Sequence, residues 1–315
     1  MATRPGSAVM TTAAVAEAAT TAKTTRIAAI DWMRGLVMVL MVIDHASMAF
    51  DGTHLDDDSA MYPGAATMAL PGGEFFTRWI THICAPTFVF LAGVALALSV
   101  ERRVAKGTNA WEIDKSILTR GAVIALLDPT IISLGSGRLN FGVLFAIGVA
   151  MMCMTLLRRL PTWSLLALGL GWLALGELAT DWAWDPPGSA SPPAALLVAT
   201  YGSDALAIKY PPSLTYATLE LGILSLALAF LMWLEPYIGV RQNGVFLVFG
   251  QTAMFFYIAH RLMFEVPATY FGLRGAGGLT TTYVVAFAML ALLYPACRWY
   301  RTLKAAHPQS FLKYL

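Results

Sequence analysis

Between Asp31 and His45 the chain reads "DWMRGLVMVLMVIDH", an apolar run opened by an acid and an arginine and closed by Asp-His. Such a run crosses a bilayer only as a helix, because lipid offers its backbone no partners. On a helix, spacing decides which side chains share a face. Arg34 and His45 are 11 positions apart, which at 100° per residue is three turns plus about 20°. They share one stripe, with Asp31 within about 40° of His45 and with Met38 and Met41 between them. The rise from Arg34 to His45 is about 16 Å, roughly half the hydrocarbon thickness. A guanidinium suits phosphate, and an imidazole held deeper suits proton transfer or nucleophilic attack. Asp44 lies about 100° from His45, so its partner is expected to be His82 or a basic group on another helix.

Further ionisable residues fall inside apolar runs, where they mark a bundle interior or a watery cavity. They are His82 in "RWITHICAP", His260 in "MFFYIAHRLMF", Asp128 in "LLDPTIIS" and Glu220 in "TLELG". Counted from the expected orientation, His45, His82 and His260 reach similar heights and would form a polar core. A metal is a rival use of three histidines, but no ligand pair shares a helix and no thiolate accompanies them, so none is expected. His54, in the acidic stretch "DGTHLDDD", is expected to be solvated. Cys84, Cys153 and Cys297 have neither disulfide nor metal spacing and read as buried, inert thiols. Trp182 and Trp184 in "DWAWDPPG" suit an interfacial belt, or stacking on a sugar ring.

These groups need helices to hold them, and the composition provides for that. Of 315 residues, 57% are hydrophobic and only 13% charged, about half the charge of a soluble protein. Mean hydropathy is +0.64. The chain is therefore an all-α, polytopic membrane bundle. Apolar segments at about 27–50, 75–100, 116–134, 141–157, 163–180, 213–234, 244–268 and 279–297 give eight spans. A ninth element at 192–208 would be re-entrant or lie on the surface. The Ala/Thr-rich residues 1–25 form a disordered tail, residues 26–300 one membrane domain, and residues 301–315 a second tail. Placing both termini in the cytoplasm puts 15 of 21 Lys/Arg there, or 16 with Arg34, while acids gather in the outer loops. No inverted repeat is visible.

The stretches "RIAAIDWMRGLVMVLMVIDH", "RWITHICAPTFVFLAG", "KYPPSLTYATLELG" and "FGQTAMFFYIAH" resemble bacterial membrane proteins carrying the catalytic domain of heparan-alpha-glucosaminide N-acetyltransferase. The resemblance runs from about residue 26 to 300. Arg34 and His45, with ten residues between, also match the signature of the wider transmembrane acyltransferase superfamily, acyltransferase family 3 included. The resemblance implies that acetyl-CoA or another acyl-CoA binds at the cytosolic mouth of a bacterial inner-membrane protein, and that the acyl group reaches an outer sugar or glycan. Arg34 matches the position that contacts the CoA phosphates, and Asp31, Arg102 and Arg120 are the further residues expected there. His45 matches the catalytic polar position, with Asp44, His82 and His260 expected beside it. The chain departs from the family at Phe145-Ala146, where relatives carry Gln-Arg. The loop histidine of the lysosomal enzyme has only His54 as its counterpart.

Three function classes follow. An acyl-CoA-dependent O- or N-acyltransferase would line the Arg34–His45 stripe with the pantetheine arm, with His45 as general base or as acyl carrier. A transporter would use the same polar core as a substrate or proton path. A non-catalytic subunit would use neither. No nucleic-acid partner is expected, and a homodimer is compatible with the sequence.

Overall fold

The computed structural model describes residues 27–54, 72–183, 214–307 and 310. Among them all regular structure is helical: α1 Ala28–Phe50, α2 Gly72–Thr81, α3 Cys84–Ala105, α4 Ala110–Leu127, α5 Ser133–Ser136, α6 Val143–Leu157, α7 Thr162–Ala183, α8 Leu214–Ile238, α9 Val245–Gln251, α10 Ala253–Tyr270 and α11 Leu279–Ala306. Each of the eight apolar segments is helical. Five helical stretches among the described residues are long and apolar enough to cross a membrane, or six if α9 and α10 form one broken span. The molecule is an integral membrane protein, and the expected count of eight spans is not confirmed. The first tail, segment 192–208 and Trp184 lie outside the described residues, and the Trp182 side chain is likewise not described; of the second expected tail, residues 301–306 continue α11.

α1 is the hub. Of its 23 residues, 15 are buried, and it packs against α2, α3, α8, α9, α10 and α11. A helix apolar on every side belongs in a core, and this one sits there. Its first backbone N–H groups, at Ala28 and Ala29, donate to the Glu235 carboxylate of α8 at 3.2 and 3.0 Å, so a neighbouring helix supplies the missing N-cap. α9 approaches α1 so closely that a Cβ on Gly35 would strike the Phe246 carbonyl, and one on Gly250 would strike the Asp31 carbonyl. α4 and α6 meet in the same manner through Gly121 and Gly148. Small residues are what let backbones touch where lipid provides no hydrophobic drive.

Three helices break where the sequence analysis ran them straight. The second apolar segment is α2 and α3, parted at His82-Ile83. Pro86 has no N–H, and its ring would collide with the His82 carbonyl in a continuous helix. The third loosens into a π-helical turn over Asp128–Ile132 at Pro129, with the Ser133 N–H donating to the Asp128 carbonyl. The seventh bends by 91° between α9 and α10. There Thr252 donates its hydroxyl to the Val248 carbonyl at 2.8 Å, and its N–H is shared between Val248 and Phe249. Hydroxyl back-bonding of this kind competes with the helix ladder.

The outer surface is apolar. Trp163, Leu166 and Leu170 on α7, Leu226, Phe230 and Trp233 on α8, and Val284, Phe287 and Leu292 on α11 are exposed, as lipid-facing residues must be. Cys84 and Cys297 are buried, but Cys153 is exposed on α6, contrary to the expectation for it.

Candidate active site

Two cavities open on different parts of α1. The larger, of about 260 Å³, is lined by Arg34, Arg120, Lys304 and Gln251 and by apolar side chains that include Phe88, Leu96, Leu144, Ile147 and Met254. Tyr257 also contributes to its wall. Arg34 is fixed there: its Nη1 donates to Asp31 Oδ1 at 3.2 Å and to the Gly250 carbonyl at 3.3 Å. The carbonyl is reachable because α9 touches α1 at Gly250. The bend at Thr252 brings the first turn of α10 to the same wall, where its N–H groups favour an anion. Gln251 is held from behind by Arg301 of α11 at 3.3 Å. Three cations beside an apolar trough suit a ligand with an anionic head and a long uncharged arm.

The structure thus gathers Arg34, Asp31 and Arg120 from the expected donor-binding set. Arg102 stands exposed on the last turn of α3 and is not part of the wall. Lys304 and Gln251 escaped the sequence analysis. Their signal was present, a basic terminal run and an amide beside a glycine, but nothing linear tied either to Arg34.

His45 lies deeper. Its Nδ1 is 2.7 Å from His260 Nε2, and His260 Nδ1 is 2.8 Å from the Phe256 carbonyl. The Tyr257 ring stands edge-on to both, at 6.1 and 5.5 Å between centroids. His260 is fully buried. Between Arg34 and His45 the stripe is filled by Met38 and Met41, both in the hydrophobic core. A continuous conduit along the stripe is therefore not what is built. The large cavity reaches Tyr257, and that ring meets His45.

The second cavity, about 20 Å³ and so water-sized, lies beyond His45 and is lined by Asp44, Ser47, Thr53, His54, Glu74, Arg78 and Thr81 among others. Asp44 accepts from Arg78 Nη1 at 2.9 Å and from the Thr81 hydroxyl at 3.0 Å. Of its two expected partners, the basic group on another helix is the one found. His82 faces Glu220 of α8 at 3.4 Å, and of the three histidines His45 and His260 are a pair in hydrogen-bond contact. His54, expected in solvent, is 2.9 Å from Ser47 Oγ. Asp128 has a structural task, accepting from the Phe145 N–H at 2.9 Å at the start of α6.

The wall of one cavity is thereby joined to the wall of another through Tyr257, His45 and the turn of α1 that carries Asp44 and Ser47. A family model described as heparan-alpha-glucosaminide N-acetyltransferase, catalytic, matches residues 26–262. Among curated proteins nothing matches.

Proposed function

The chain belongs to the heparan-alpha-glucosaminide N-acetyltransferase catalytic family, and from that premise we propose that this membrane acetyltransferase draws acyl groups from cytosolic acyl-CoA. It passes them to a hydroxyl or amine of a sugar-containing acceptor on the opposite side. The observation that carries this reading is the cavity whose wall combines Arg34, Arg120 and Lys304 with a largely apolar lining and with Tyr257. CoA is a polyanion on a long, mostly uncharged arm, and the cavity has that polarity.

In this reading the Arg34 end faces the cytoplasm. Arg34 at the start of α1 and Lys304 at the end of α11 line the same cavity, which supports placing those two helix ends on one side, and basic loops favour the inner one. Arg34, Arg120, Lys304 and the first turn of α10 bind the phosphates, while Asp31 holds the Arg34 fork in place. The thioester lies beside Tyr257. The acceptor enters from the Asp44 pocket, widened from its present water-sized form, and His45 serves the transfer between them.

Base-assisted direct transfer and an acyl-histidine route use the same geometry. In the direct route the acceptor displaces the CoA thiolate from the acyl carbon. In the other, His45 displaces the thiolate first and the acceptor then displaces His45, and in both the acceptor's proton ends on the thiolate. The test is acyl-CoA hydrolysis and transfer by purified protein in nanodiscs against a panel of amino sugars and glycans. His45→Ala is expected to abolish transfer while acyl-CoA still binds. Retained transfer in that variant, or wild-type protein that does not bind acyl-CoA at all, overturns the reading. A permease is the second reading, favoured by two cavities along α1 and a polar histidine pair in which His260 is fully buried. It predicts substrate uptake into proteoliposomes without acyl-CoA.

A further inference from the structure

The contacts of His260 fix the direction of the two hydrogen bonds that it makes, and we infer that His260 is a positioning residue that holds His45 in its Nδ1–H tautomer, making Nε2 the reacting nitrogen. The inference rests on the acyltransferase reading for its consequence, but not for the tautomer itself.

His260 Nδ1 lies 2.8 Å from the Phe256 carbonyl oxygen. A carbonyl only accepts, so this nitrogen carries a proton. His260 is fully buried and packed against the rings of Phe256, Tyr257 and Phe264, surroundings that accept a neutral ring at least cost. A neutral imidazole has one N–H, so His260 Nε2 holds a lone pair. Across 2.7 Å from it stands His45 Nδ1, which must then be the donor. The basic lone pair of neutral His45 is left on Nε2. The chain of donation runs one way, from His45 to His260 to the Phe256 backbone.

Both tautomers are the reverse of the form an isolated imidazole prefers, so the arrangement is imposed by the fold. The anchor is local: Phe256 and His260 are one helical turn apart on α10, and only the α1–α10 packing brings His45 to the other end. The role is the one an aspartate performs in a serine-hydrolase triad, fixing the base's tautomer and orientation.

In the transfer step the acceptor's O–H or N–H bond breaks as its proton moves to His45 Nε2. The acceptor's electron pair forms the new bond to the acyl carbon, the carbon–sulfur bond breaks, and the thiolate leaves with CoA and takes the proton from Nε2. While His45 is charged, its Nδ1–H bond to His260 is charge-assisted and stronger. In the acyl-carrier route, the acyl group sits on the same Nε2.

The direct test is nitrogen NMR on full-length protein with ¹⁵N-labelled histidine in nanodiscs, the two signals assigned by single His→Gln variants. Nδ1–H tautomers at both His45 and His260 are expected. A proton on Nε2 of His45 in the resting protein overturns the inference, whether or not the protein proves to be an acyltransferase.

Kinetics give the second arm. His260→Met removes the acceptor and is expected to lower kcat by roughly 10²- to 10⁴-fold, with little change in the KM for acyl-CoA. His260→Gln, whose amide oxygen reaches the place of Nε2, is expected to recover most of that loss. Equal kcat in His260→Met and wild type, or a Gln variant no better than Met with both shown folded by thermal unfolding, also overturns it.

Discussion

At the scale of single residues, Arg34 and His45 divide the work between recognition and chemistry, and their neighbours differ accordingly. Arg34 has two anchors on the protein and still presents its fork to a cavity shared with Arg120 and Lys304. A charged hydrogen bond to phosphate is worth about 1.5–3 kcal/mol. Arg34→Ala should therefore weaken acyl-CoA binding by roughly 10- to 100-fold in calorimetric titration. Arg102→Ala should leave it unchanged, because that side chain lies on the exposed end of α3. Equal losses from both would mean that only diffuse positive charge matters. His45 was legible as a candidate from one helix. Its partner was not, since His260 lies 215 positions away and no periodicity relates the two.

At the scale of elements, the site depends on helices that touch backbone to backbone and on helices that break. The Arg34 anchor on the Gly250 carbonyl exists only because α1 and α9 approach through Gly35 and Gly250. Gly250→Ala is expected to push them apart, costing on the order of 1–3 kcal/mol in stability and raising the KM for the donor. Gly222 of α8 has nothing within 4 Å of a built Cβ, so Gly222→Ala should be neutral or stabilising by up to about 1 kcal/mol. Thermal unfolding in detergent separates the two. The apolar segments showed where each helix runs. The breaks at His82-Ile83 and Thr252 are less visible in the sequence, although Pro86 stands beside the first. A proline near a helix start is as ordinary as one at a break, and Thr252 acts through a hydroxyl whose direction depends on packing.

At the scale of the whole molecule, the fold sets a large cationic cavity and a water-sized polar pocket apart, joined by a buried aromatic and two histidines. With the Arg34 end inside, Lys106, in the turn after α3, faces the cytoplasm, and Leu273, between α10 and α11, faces outward. In a background without native cysteines, Leu273→Cys should react with a membrane-impermeant maleimide in intact cells, and Lys106→Cys should react only after lysis. The reverse pattern would place the donor cavity on the wrong side for cytosolic CoA.

The sequence by itself determined the membrane class, the helical segments and the stripe bearing Arg34 and His45, because hydropathy and a 3.6-residue period are local properties. Tertiary structure alone decided that His260 meets His45, that Lys304 joins Arg34, and that Met38 and Met41 close the stripe between the two ends. Those outcomes depend on how helices distant in sequence approach and bend. Approach is governed by a few glycine contacts and hydroxyl bonds whose effect exists only once the neighbouring helix is in place.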